Sequence, residues 1–195
     1  MIEDTWALRQ TDPERAVAYF YFAFSDMEKR THGSLLRSLI LQLSDQYMTA
    51  ITALKGLYSR CNDGGKQPIM ADLERTFLEM LSWEGHVYIV IDALDECVEQ
   101  RALLPWLVGL SCPNLHLLVT SRRERDIEEY LSPAAAAQIP LLASVVDLDI
   151  SAYVESQVQK DPKFKQWPMG VQEDIKEKVG KGANGMYVIS LNYIQ

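Results

Sequence analysis

The chain has 195 residues, 48% hydrophobic and 24% charged, a balance that excludes disorder as its main state and fits one domain or one domain with part of a second. Lys and Arg number 19 against 27 Asp and Glu, a formal net charge of −8. A chain this acidic lacks the positive field that binds phosphate backbones or anionic lipid, so nucleic acid is excluded as its main partner. Three cysteines, Cys61, Cys97 and Cys112, form no C-x-x-C pair, which supports neither a disulfide framework nor a zinc knuckle. That usage fits reduced thiols in the cytoplasm. No apolar run approaches the roughly 18 residues of a membrane span, and the first residues carry acids where a secretory signal is basic.

Val17 to Phe24 is an unbroken apolar run rich in aromatics. Its length favours a strand, and its lack of alternation favours one covered on both faces, as in a parallel sheet. Leu35, Leu36, Leu39, Ile40 and Leu43 then recur at steps of three and four, the spacing of one helix face. Cys61 to Pro68 is a loop by its turn chemistry, with amphipathic patterns on both sides. Ile69, Leu73, Phe77 and Met80 mark a second helix. Val87 to Ile91 is a second strand, and Leu103, Leu104 and Leu107 mark a further helix. Leu115 to Val119 is a third strand, and Gln138 to Leu142 a weaker fourth. Strands alternating with helices predict an α/β fold with a parallel sheet. From Asp147, an N-cap candidate, the pattern turns helical: Ile150, Tyr153, Val154 and Val158, then Val171, Ile175 and Val179, with 186–194 a third helix or a short buried segment. The expected division is a core of 1–146 and a helical extension of 147–195.

Chemistry in an open parallel sheet gathers at the carboxyl ends of the strands. Val87–Ile91 is followed by Asp92-Ala93-Leu94-Asp95-Glu96, three acids in five residues. That is the form of a Walker B segment: one rigid carboxylate holds Mg²⁺ beside nucleotide phosphates, and a second orients or deprotonates water. Leu115–Val119 is followed by Thr120-Ser121-Arg122; a polar residue or an arginine at the end of this strand is where related NTPases place a sensor of the terminal phosphate. Arg123 and Arg125, and the acids Asp126, Glu128 and Glu129, read as a solvated helix face. Gly180, Gly182 and Gly185 spell G-x-G-x-x-G but follow a helical stripe, so they predict a helix C-cap and turn. His32, His86 and His116 are scattered, with no H-E-x-x-H or G-x-S-x-G motif beside them. His116, inside an apolar strand, reads as a hydrogen-bonded structural histidine.

The runs 18–26, 87–97 and 117–124, with Gly185-Met186, resemble a NACHT domain of the kind found in fungal NOD-like receptors, also described as nephrocystin 3-like N-terminal domains. The resemblance implies a three-layer, P-loop NTPase-like parallel sheet and a nucleotide-dependent signalling switch. In that family the switch lies between an effector and ankyrin, WD40 or TPR repeats, and full-length members use Mg²⁺ with ATP or GTP. Carried over by motif, Asp92 is the Mg²⁺ acid, Asp95 or Glu96 the water-positioning acid and Arg122 the sensor. The phosphate loop G-x-x-x-x-G-K-[ST] does not occur in the 195 residues: Gly65-Lys66 precedes Gln67 and Gly180-Lys181 precedes Gly182. Met1 to Arg9 reads as the tail of the helix that follows that loop, so the sheet is expected to miss its first strand. The chain alone is then expected to hold no nucleotide and to show no activity. The alternative is a protein-interaction or regulatory module without nucleotide chemistry. The implied strand order puts 17–24 at one edge, 87–91 in the middle and 115–119 beside an open slot, an invitation to self-association.

Overall fold

The computed structural model describes residue 12, residues 14–140 and single helical positions at 152, 155, 156, 160, 170 and 171. The chain divides into two units, Met1–Ala136 and Ala137–Gln195. The expected domain boundary at 146, the helical stripes beyond it, the glycine string and Gly185-Met186 lie essentially outside the described residues. In the first unit β1 (Arg15–Tyr21) is followed by α1 (His32–Ser44), α2 (Met48–Arg60), α3 (Met70–Leu81), β2 (His86–Asp92), α4 (Gln100–Gly109), β3 (Leu115–Val119) and α5 (Arg125–Leu131). Short 3₁₀ turns occupy Met27–Lys29 and Leu94–Glu96. The class is α/β, as the alternating pattern predicts.

All three strands are parallel, in the order β1-β2-β3. Ala16 lies opposite Val87 and Phe20 opposite Ile91, while Val87 lies opposite Leu115. The order agrees with the implied one, with β1 at an edge. The first apolar run is strand only to Tyr21: Phe22 still donates its N–H to the Asp92 carbonyl (3.1 Å), but the chain then turns, with Ala23 N–H bonded to the Lys29 carbonyl (3.4 Å). Asp26 caps that turn by accepting from the Glu28 N–H at 3.0 Å.

One sheet face carries Ala16, Ala18 and Phe20 from β1, with Phe22 just past its end, and Val87, Ile89 and Ile91 from β2, all inside the main core. Leu35, Leu36, Leu39 and Leu43 of α1, Leu73, Phe77 and Met80 of α3, and Leu103, Leu104 and Leu107 of α4 complete it. Each such side chain contributes roughly 1.5–3 kcal/mol when fully buried. The helical stripes read from the sequence before residue 110 are therefore the buried ones, except Ile69, which caps α3 and is exposed. The apolar pattern set no bounds for α2, whose buried positions are Ala50, Ala53 and Leu57, two of them small.

Two expectations are corrected. β3 is not covered on both faces: Leu117 and Leu118, which point to opposite faces, are 36% and 40% exposed. Residues 138–140 are irregular rather than strand, and Pro140 has no N–H to give a ladder. Positions 141 and 142 of that expected strand lie outside the described residues. β3 is thus an edge among the described residues.

Candidate functional site

The loops after all three strands meet at the carboxyl end of the sheet. β2 ends at Asp92, and Ala93 follows in the left-handed region at φ 55°, ψ 48°. An alanine there costs of order 1 kcal/mol, so its surroundings must hold it. Thr120, the residue after β3, does so through four hydrogen bonds. Its N–H donates to the Ile91 carbonyl (2.9 Å), its carbonyl accepts from the Leu94 N–H (3.0 Å), and its hydroxyl oxygen accepts from the Ala93 N–H at 3.1 Å. Its hydroxyl proton goes to Oδ1 of Asp92. Asp92 is thereby fixed in orientation, and its other oxygen has no partner among the described residues.

The left-handed turn brings Asp95 and Glu96 back toward the end of β3, where Arg122 meets both. The Arg122 backbone N–H donates to Asp95 Oδ1 (3.0 Å), its Nε to Asp95 Oδ2 (2.5 Å) and its Nη2 to Glu96 Oε1 (3.0 Å). The Asp95 carboxylate is 4% exposed, while the Arg122 side chain is 60% exposed. Burial by itself pushes the Asp95 carboxyl up, but the backbone N–H, hydrogen bond and charge of Arg122 more than offset it and hold Asp95 below its ordinary value. The guanidinium is held further up by the same hydrogen bond. Asp95 is therefore ionised at neutral pH.

Other contacts lock the surrounding loops. Gln100 donates to the Asp95 carbonyl (2.9 Å) and to Glu124 (3.3 Å). Arg30 donates to the Glu96 carbonyl (3.3 Å) and lies 4.9 Å from the centre of the Phe24 ring. Glu99 accepts from the His32 N–H at 2.8 Å, satisfying a free donor at the start of α1 with a favourably placed charge. Thr31 caps the same helix by accepting from Ser34 N–H at 3.1 Å, a contact of about 1 kcal/mol.

All four sequence-predicted residues stand at this one end of the sheet. Asp95, Glu96 and Arg122 form one ion-paired cluster, and Asp92 is held beside it through Thr120. Thr120 was not singled out from the sequence; a hydroxyl one residue past β3 was the available signal, and only the structure sets it against Asp92. Arg123 and Arg125 pair with Glu128 and Glu129 at 2.7 Å each on the exposed surface, the solvated face expected of them. Asp92, one carboxylate with a free oxygen at a rigid strand end, suits a hard cation shared with phosphate. Among the described residues no cluster of three or more His, Cys, Asp or Glu could cage a metal alone.

The family model of nephrocystin 3, N-terminal, matches residues 2–122, well over half of the chain. The chain belongs to this family. It is also 27% identical, over 93% of its length, to the vegetative incompatibility protein HET-E-1 of Podospora anserina. The chain spans only 14% of that relative. No solved structure matches it. The resemblance drawn from the sequence thus holds at the level of this family and of a fungal relative. Among the described residues no helix is long and apolar enough to cross a membrane.

Proposed function

We propose that this chain is the acid- and sensor-bearing part of a NACHT-type nucleotide switch in a larger cytoplasmic signalling protein. The observation that carries the proposal is Arg122 held across Asp95 and Glu96 beside the Thr120-clasped Asp92. Asp92 would hold Mg²⁺, which supplies charge opposite the phosphates of ATP or GTP. Thr120 keeps that carboxylate aimed while leaving one oxygen for the ion. Asp95 and Glu96 are the acids that orient or deprotonate water, and Arg122 is the group that reads a terminal phosphate. An exposed guanidinium resting on two carboxylates is poised for exchange: an incoming phosphate competes for Arg122 and releases the acids together. The P-loop NTPase-like, three-layer arrangement and the effector and repeat partners belong to this proposal.

The test is Mg²⁺-dependent binding of ATP and GTP by calorimetry, on the 195-residue chain and on the full-length gene product. The chain alone is expected to bind very weakly, since G-x-x-x-x-G-K-[ST] does not occur in it and Asp92 and Arg122 cannot replace a ring of N–H donors. In the full-length product, Asp92→Asn is expected to weaken binding, whereas amides at Asp95 or Glu96 slow turnover more than binding. Full-length protein that binds nucleotide equally well with Asp92→Asn would remove the acid from the site. The second reading, an interaction module without nucleotide chemistry, is favoured by that same missing motif and by the open β3 edge. It is the outcome if no full-length form binds nucleotide.

A further inference from the structure

At the opposite end of the sheet the fold joins two histidines that lie thirty positions apart in the chain. His86 opens β2 and His116 is the second residue of β3. The register puts His116 opposite Tyr88, so His86, Tyr88 and His116 share one sheet face. The His86 Nδ1 lies 3.1 Å from the His116 Nε2. The His116 ring is stacked on Tyr88, with centres 4.5 Å apart and planes 14° from parallel. The His86 backbone is fixed by its N–H to the Glu14 carbonyl at 2.8 Å. Both histidines are exposed.

We infer that His86 and His116 form a surface site for a divalent transition-metal ion of the Zn²⁺, Ni²⁺, Cu²⁺ class, spanning β2 and β3. Two ring nitrogens of neutral imidazoles can share one proton, as in a hydrogen bond, or one metal ion. At the 2.0–2.1 Å of a metal–imidazole bond, nitrogens 3.1 Å apart subtend an angle of about 100° at the ion, between square-planar and tetrahedral values. The stacked tyrosine keeps one ligand ring from turning away, so little ordering is left to the metal. Water completes the coordination, because no third His, Cys, Asp or Glu joins the pair among the described residues. Imidazole donors exclude Mg²⁺ and Ca²⁺, which take oxygen ligands. The two ends of β2, about 20 Å apart over six residues, therefore sort cations by chemistry, with nitrogen at His86 and oxygen at Asp92. This inference does not depend on the nucleotide proposal.

The test uses the untagged full chain and Zn²⁺ alone as the probe. Calorimetry is expected to show one ion per chain, with affinity falling at least tenfold in His86→Gln and in His116→Gln. Asp92→Asn should leave it unchanged, and excess Mg²⁺ should not compete. Nitrogen-15 spectra of the imidazole rings of the parent protein give a readout free of variants: Zn²⁺ should move His86 Nδ1 and His116 Nε2 and leave His32 in place. Binding that survives both histidine substitutions would overturn the inference. So would Zn²⁺ signals confined to His32, or no saturable binding at all.

Discussion

The two edges of the sheet solve the same problem differently. Along β1 the bonds His86 N–H to Glu14 and Phe22 N–H to Asp92 turn the even-numbered residues toward β2 and leave Val17 and Tyr19 facing out. Both are closed by side-chain amides, that of Gln42 in α1 and that of Gln46 in the turn just after it. Gln46 accepts from the Val17 N–H (2.9 Å) and donates to its carbonyl (2.6 Å), and Gln42 does the same for Tyr19 at 3.0 and 2.7 Å. Gln42 on the last turn of α1 and Gln46 just past its end reach alternate strand residues, Tyr19 and Val17, so the segment that carries them runs against β1. Along β3, Val87 N–H to Asn114 and Thr120 N–H to Ile91 turn Leu117 and Val119 outward. No strand among the described residues meets them. A sheet edge is therefore finished by whatever presents amides at strand spacing, and among the described residues β3 keeps a template for another chain.

The largest expected effect lies at the closed edge. Replacing Gln42 and Gln46 together by Leu leaves two N–H and two C=O groups of β1 unpaired. It should cost about 3–5 kcal/mol in urea unfolding, at roughly 1 kcal/mol or more per stranded group. Unchanged stability would mean that the amides cover the edge without holding it. Next comes the clasp between β2 and β3. Thr120→Val keeps the shape but removes the hydroxyl from Asp92 and the Ala93 N–H, for an expected loss of about 2 kcal/mol, and Thr120→Ser should recover most of it.

A smaller effect is pH-dependent and has two stages. His32 is buried against Trp106, with ring centres 4.7 Å apart. Burial pushes its imidazole below the ordinary 6.5, against an opposing pull from Glu99. The fold therefore favours neutral His32. Its contribution is complete above pH 6.5 and is lost as pH falls from there through the lower folded value. Asp95 follows the same sign: its contribution is present above 3.8 and is lost as pH falls through the lowered folded value. Urea midpoints across pH 3 to 8 should show both declines, with His32→Phe removing the first and Arg122→Ala shrinking the second. A flat profile between pH 5 and 7 would mean that His32 is not held neutral.

The smallest energetic effect is expected at the open edge. Leu117→Lys replaces a side chain that is 36% exposed and should change stability by about 0.5 kcal/mol or less. The same substitution should reduce self-association in sedimentation runs, because a charge on an edge strand disfavours pairing between chains. Hydrogen exchange sharpens the contrast: the Val17 and Tyr19 amides should exchange slowly and those of Leu117 and Val119 fast. Equal protection on both edges would show that β3 is covered in solution.

Much of this was readable from residues in order. The apolar runs located all three strands, and β3 to the residue, because an apolar stretch of that length outside a helix has few other uses. The acids of 92–96 and Arg122 were readable because strand ends are short and their chemistry is local. Thr120 was harder, since a threonine after a strand is ordinary until the register sets it opposite Asp92. The glutamine pair was invisible: Gln42 and Gln46 look like the polar side of an amphipathic helix unless the neighbouring strand edge is known. α2 went unbounded because alanines fill its buried face, and alanine carries little apolar contrast.

The sequence by itself therefore determined the α/β class, the helix faces that pack and the acid-rich strand end, since these follow from local periodicity and residue chemistry. Tertiary structure alone decided what distant segments do to one another. It put Arg122 on Asp95 and Glu96, set Gln42 and Gln46 on the β1 edge, brought His86 within 3.1 Å of His116 and left β3 open among the described residues. The physical reason is that periodicity records which face of a segment is buried. The partner across that face is set by strand order and register, which no single segment carries.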